Sequence, residues 1–118
     1  MGQTLVFWAE RSDAESIILY SQPIDVSSMD SGTVFLNILG VGTVTASLVC
    51  EESIDPSNPN SWSTVGGTAS GSAAGNFKAL VGGQSAGSTN TVGPFIRLRA
   101  TIAVTSGGIV WTGGIVIR

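Results

Sequence analysis

The strongest constraint in this chain is a strict alternation over residues 94–105. Ile96, Leu98, Ala100, Ile102 and Val104 fall on one side, with Phe95, Arg97, Arg99, Thr101 and Ala103 on the other. A period of two is the signature of a strand with one buried face. The same period runs over residues 33–41, where Val34, Leu36 and Ile38 oppose Phe35, Asn37 and Leu39. It returns over residues 43–53, where Ala46, Leu48 and Cys50 oppose Thr45, Ser47, Val49 and Glu51, a half-polar face expected beside solvent. Helical periodicity hardly occurs. Gly, Ser and Thr together supply 43 of the 118 residues, which suits strands joined by turns and suits helices poorly.

Further strands are expected over residues 4–9, 15–24, 77–81 and 109–118, with a short one from Trp62 to Val65. Turns separate them. Glu10-Arg11-Ser12-Asp13 reads as a polar turn, residues 25–32 as another, and Gly40-Val41-Gly42 as a hairpin turn or a bulge. Asp55-Pro56-Ser57-Asn58-Pro59-Asn60 is the densest turn cluster. Residues 66–75 and 82–93 read as long glycine-rich loops, and loops of that length are usually binding surfaces. Ser106-Gly107-Gly108 should reverse the chain, and Gly113-Gly114 should mark a bulge or a close backbone contact. The expectation is one all-β domain over residues 1–118, an antiparallel β-sandwich or jelly roll of about eight strands.

The chemistry is sparse. There is no His and only one Cys, so Ser-His-Asp and Cys-His engines, His-rich zinc sites and an internal disulfide are all excluded. Cys50, in a strand-like run, reads as a buried inert thiol. Glu51 and Glu52 are adjacent, so on a strand they point to opposite faces and cannot share a substrate; the acids read as solvated surface groups. Asp25, Asp30, Asp55, Asn58 and Asn60 match no calcium loop and are better explained by Asx hydrogen bonds in turns. No catalytic residue, metal ligand or cofactor is expected, and the chain is not read as an enzyme. The start has no basic region followed by an apolar run, so it does not read as a signal peptide, and no stretch reaches membrane-spanning length.

Charge is segregated along the chain. Residues 1–55 hold all eight acids and only Arg11; residues 56–118 hold no acid and Lys78, Arg97, Arg99 and Arg118. The net charge of −3 argues against nucleic acid as a partner. Segregation arises either from strands that interleave within one sandwich or from an acidic face that meets a neighbour's basic face. Phe95, Arg97 and Arg99 share an outward face and are candidate interface residues. Leu5, Val6, Phe7 and Trp8 are apolar on both faces, so the first strand is either buried in its own domain or added to a neighbour's sheet; Leu5 and Phe7 join the interface set. Trp62, beside the polar turn cluster, is the candidate ligand-binding residue.

Four elements in order carry a resemblance. Val34-Phe35-Leu36-Asn37-Ile38-Leu39 leads through a turn to Thr45-Ala46-Ser47-Leu48-Val49-Cys50; Ser53-Ile54-Asp55-Pro56 leads on to Trp62; a Gly/Ala/Thr-rich stretch follows; Phe95-Ile96-Arg97-Leu98-Arg99-Ala100-Thr101 and residues 109–118 close the pattern. Residues 33–118 so resemble small β-sandwich virion structural proteins of tailed bacteriophages, although the turn before Trp62 is longer here and holds two prolines. The resemblance implies a non-catalytic capsid-decorating or head-associated protein. It would act as a homo-oligomer, a trimer or larger, made in the host cytoplasm and located in the virion, with the major capsid protein as candidate partner. No nucleic acid and no membrane are implied. Two other classes fit the same residues: a carbohydrate-binding or receptor-binding module that uses Trp62, and a non-viral self-assembling sheet or filament subunit.

Overall fold

The computed structural model describes residues 3–26, 31–82 and 94–118. These form seven strands and no helix: β1 (Gln3–Asp13), β2 (Ile17–Tyr20), β3 (Ile24–Asp25), β4 (Ser31–Ser53), β5 (Ser63–Gly71), β6 (Gly75–Gly82) and β7 (Phe95–Ile117). Every pairing is antiparallel. β4 and β7 pair along nearly their whole lengths, from Gly32 opposite Ile117 to Ser53 opposite Phe95. β1, β2 and β3 line the other side of β7, while β5 and β6 line the other side of β4.

A straight strand of 23 residues would reach about 75 Å, yet the longest dimension of the molecule is 40 Å. The long pair therefore folds over on itself. The fold lies where the register slips three times, between Ile38 and Gly40, Val41 and Thr43, and Thr43 and Val44. Gly42 and Gly107 face each other there. Gly107 has φ +74°, and a Cβ on Gly42 would stand 2.7 Å from the Ser106 carbonyl oxygen, so both positions require glycine. The result is a two-layer sandwich. The first layer holds β1, residues 109–117 of β7, residues 31–41 of β4, and β6. The second holds β2 and β3, the first half of β7, the second half of β4, and β5.

The core fills the space between the layers. Val34, Leu36, Ile38, Ile109, Trp111 and Ile115 of the first layer meet Ala46, Leu48, Cys50, Ile96, Leu98, Ala100 and Ile102 of the second, all buried. Leu48 reaches across to the first layer, where a Cβ on Gly113 would lie 3.1 Å from its Cδ2. Trp111 is fully buried, packs tilted against Trp8 with ring centroids 5.5 Å apart, and donates its indole N–H to Asp13 Oδ2 at 2.8 Å. That bond satisfies the polar edge of the largest core side chain.

Several turns expected from the sequence are strand instead. Glu10-Arg11-Ser12-Asp13 continues β1, because Arg11, Ser12 and Asp13 pair with Trp111, Val110 and Ile109. Ser106-Gly107-Gly108 bends β7 without reversing it. Gly40-Val41-Gly42 is the bulge and not the hairpin turn. Residues 66–75 are not one loop. Gly66 and Gly67 form a bulge inside β5, Val65 and Ala69 still point inward, residues 72–74 make the turn, and β6 begins at Gly75. The strand expected over residues 15–24 is two short ones, broken at Ser21, Gln22 and Pro23. Ser21 Oγ accepts the Leu98 N–H at 2.7 Å across that break, and Pro23 has no N–H to offer. Of the turn expected over residues 25–32, Asp25 belongs to β3 and Ser31 and Gly32 to β4; Gly82, the first residue of the loop expected over 82–93, ends β6. Residues 27–30 and 83–93 lie outside the described residues.

Candidate functional site

The outer face of the second layer carries a charged and aromatic cluster. Arg97, two residues along β7 from Phe95, pairs with Glu51 of β4; Arg99 pairs with Val49 and, on the other side, with Tyr20 of β2. Period-two geometry puts Glu51, Arg97, Arg99 and Tyr20 on one side of the sheet. Arg97 Nε donates to Glu51 Oε1 at 2.8 Å and Arg99 Nη1 to Glu51 Oε2 at 3.0 Å. The Arg97 guanidinium carbon lies 4.3 Å from the Tyr20 ring centroid and 4.4 Å from that of Trp62, so it stacks on both rings.

The turn cluster before Trp62 is held by its own side chains. Asp55 Oδ1 accepts from Ser57 N and Oγ, Asn58 Oδ1 accepts from Asn60 N, and Ser61 Oγ bonds the carbonyls of Asp55 and Asn58. The bonds to the Asp55 and Asn58 side chains are the Asx bonds anticipated for this segment. The braced loop delivers Trp62 onto Arg97. Of the face expected beside solvent, Thr45 is exposed and Ser47 half-buried, but Val49 and Glu51 are buried, as is Ser53 beyond them, which corrects the expectation for the end of β4. Glu51 is not a solvated acid: its side chain is 7% exposed and it serves two guanidinia at once. One carboxylate against two cations leaves the cluster with a surplus positive charge. That surplus sits nearest solvent at Arg99, whose side chain is 35% exposed.

The structure thus brings Arg97, Arg99 and Trp62 together. Phe95 lies on the same side of β7, half-buried, opposite Ser53 and Asp25. Leu5 and Phe7 are elsewhere, on β1 at the edge of the first layer, where both pack partly buried against the chain's own core. Sequence reasoning missed Tyr20 and Glu51. A signal for Glu51 was present, since opposite charges on the outward faces of two strands with matching periods can pair once those strands are neighbours. Tyr20 gave none, because its place beside Arg99 depends on the register of a four-residue strand. Cys50 is buried, and desolvation, then the nearby Glu52 and Glu51 charges, push its thiol up from 9.0 to about 12. Among the described residues no three His, Cys, Asp or Glu side chains come together as metal ligands.

No family model matches this sequence, and no curated protein does. Solved structures do match. A chain in the structure of infectious bursal disease virus, Gx strain, aligns at TM-score 0.60 and 9% identity over 99% of this chain and 32% of its own. The Gt strain of that virus gives TM-score 0.53 and 12% identity over 99% and 31%. The crystal structure of PirA gives 0.56 and 6% identity over 95% of this chain and 94% of its own. The chain so spans about a third of the viral chains and nearly all of PirA. At these identities the likeness is one of fold, an antiparallel β-sandwich that a virus particle also uses.

Proposed function

We propose that this chain is a non-catalytic virion structural protein, a single-sandwich subunit that decorates a capsid or associates with a phage head as a homo-oligomer of three or more copies. The observation that carries the reading is the match of 99% of the chain to part of a chain from a virus structure. Fold alone does not decide function, so the surface must support it too. Arg99 offers surplus positive charge on the second layer, with Phe95 and Arg97 beside it. Glu10 and Glu15 are exposed on and just after β1. A contact between Arg99 of one copy and these acids of the next would register subunits by charge. Leu5 and Phe7 lie on β1, whose outer edge has no strand beside it among the described residues and is open to a neighbour's. Many weak contacts of this kind add up on a lattice, the major capsid protein being the partner.

Light scattering over a dilution series tests the reading. A stable trimer or larger assembly is expected, and Glu10→Lys with Glu15→Lys should dissociate it while leaving the circular dichroism of the fold unchanged. A 12 kDa monomer at every concentration would overturn self-association.

A further inference from the structure

The outer face of the first layer holds a second, unrelated arrangement. Three strands present their alternate residues there in register. Asn37 on β4 stands opposite Asn76 on β6 and Thr112 on β7; Phe35 stands opposite Lys78 and Gly114. All of these but Gly114 line a groove of about 670 Å³, with Arg118 beside Thr33 at one end. The groove has an aromatic floor because of Gly114. A Cβ there would come within 2.7 Å of Phe35 Cζ, so the ring lies across β7 over the glycine and does not stand up from the sheet.

Three of the groove's polar side chains are uncommitted. Among the described residues, the side chains of Asn37, Asn76 and Lys78 make no hydrogen bond or ion pair with the rest of the chain. The two amides lie side by side across one ladder, each with a donor and an acceptor. Among the described residues, the charged ones that line the groove are Lys78 and Arg118, and no acid does. Arg97 and Arg99 are both ion-paired with Glu51, whereas these two cations form no ion pair among the described residues.

We propose that this groove binds an acidic saccharide. The apolar face of a pyranose ring rests on Phe35, hydroxyls bridge Asn37, Asn76 and Thr112, and a carboxylate meets Lys78 with Arg118 near by. The geometry favours a sugar over an acidic peptide. An extended peptide docks through main-chain hydrogen bonds at a free sheet edge, but the floor strands β4 and β7 are each flanked by paired strands on both sides. Their backbone groups are already used, so over the Phe35 floor only side chains face the groove; the free edge of β6 among the described residues is on its side away from β4. A saccharide needs nothing else. The proposal does not rest on the virion reading, so the light-scattering result leaves it standing or falling by itself.

The test is a titration of the isotope-labelled full-length chain, followed by its amide resonances. The probes are sialyllactose and tri-galacturonate, with lactose as the neutral control. Both acidic sugars, or one of them, should shift Asn37, Asn76, Lys78 and Thr112, with lactose about tenfold weaker or more. Lys78→Glu and Asn76→Ala, both exposed on β6, should each weaken binding about tenfold with the rest of the spectrum unchanged. The absence of shifts on this face up to about 10 mM of either acidic sugar would overturn the proposal. So would lactose binding as tightly as the acidic sugars, or a glutamate-rich peptide shifting these residues when the sugars do not. Shifts of the same residues on simple dilution would mark the face as a contact between copies, and would overturn it equally.

Discussion

Replacing Glu51 by Gln isolates the charge at the centre of the second layer's outer face while keeping the side chain's shape. Glu51 Oε1 and Oε2 hold Arg97 and Arg99 at 2.8 and 3.0 Å, and the three side chains are 7%, 20% and 35% exposed. Losing the carboxylate affects the two arginines differently. Arg99 can turn to water. Arg97 is stacked on Tyr20 and Trp62 and cannot recover its hydration without giving up both rings. Breaking a fully buried pair costs about 3–5 kcal/mol; a partner that is one-fifth exposed brings this down to about 2–3 kcal/mol. Arg99→Gln removes a half-exposed cation that the cluster holds in surplus, and should cost about 0–1 kcal/mol. Urea denaturation followed by tryptophan fluorescence measures both, with the denaturant slope as a check that the unfolded states match. If Glu51→Gln costs less than about 0.5 kcal/mol, or if Arg99→Gln costs as much as Glu51→Gln, the cluster is not organised around a buried carboxylate and the reasoning fails.

Three further outcomes are expected. Gly114→Ala should detach the N-terminal part of β1, since the new methyl would meet the Leu5 carbonyl oxygen and the Val6 Cα; a loss of about 3 kcal/mol or more in urea, with fast amide exchange over residues 3–6, would show it. Asp13→Ala strips the acceptor from the buried Trp111 indole and the partner from Arg11; about 1–3 kcal/mol should be lost, with a changed near-ultraviolet dichroism. Cys50, with its thiol pushed up to about 12, should resist a disulfide reagent at pH 8 until the chain unfolds. Because the folded thiol keeps its proton where the unfolded one loses it, stability should fall as pH rises from about 9 to about 12, by at most about 1.4 kcal/mol per pH unit, and Cys50→Ala should flatten that slope.

The strands themselves were legible because each buried face announces itself locally. Ile96, Leu98, Ala100 and Ile102 alternate with polar partners, and all four are buried. The candidate site was legible only in halves. Arg97 and Arg99 stand out as outward cations, and Trp62 as an aromatic after a turn, but their meeting depends on β4, β7 and the braced loop being neighbours. That information lies in pairing, which a one-dimensional pattern does not contain. Glu51 was misjudged for the same reason, since its outward position suggested solvent, whereas Arg97 and Arg99 of the neighbouring strand close over it.

The misread turns have a sharper cause. In β7 the residues of the core cluster are even-numbered from Ile96 to Ile102 and odd-numbered from Ile109 to Ile115, whereas in β4 they stay even from Val34 to Cys50. Between the pairs Gly32–Ile117 and Ser53–Phe95, β7 runs one residue longer than β4. A change of parity across Ser106-Gly107-Gly108 is what a hairpin produces, and also what a bulge with one extra residue produces. Sequence alone cannot separate the two, since glycine serves both. The register decides: β4 takes up one extra residue between Ile38 and Gly40, and β7 takes up two between Ile109 and Val104, so the net extra residue lies in β7. A hairpin at either glycine cluster would have left four shorter strands. The bulge instead folds two long ones over each other, and so places the Arg97 cluster and the Asn37–Asn76 groove on opposite outer faces of one sandwich.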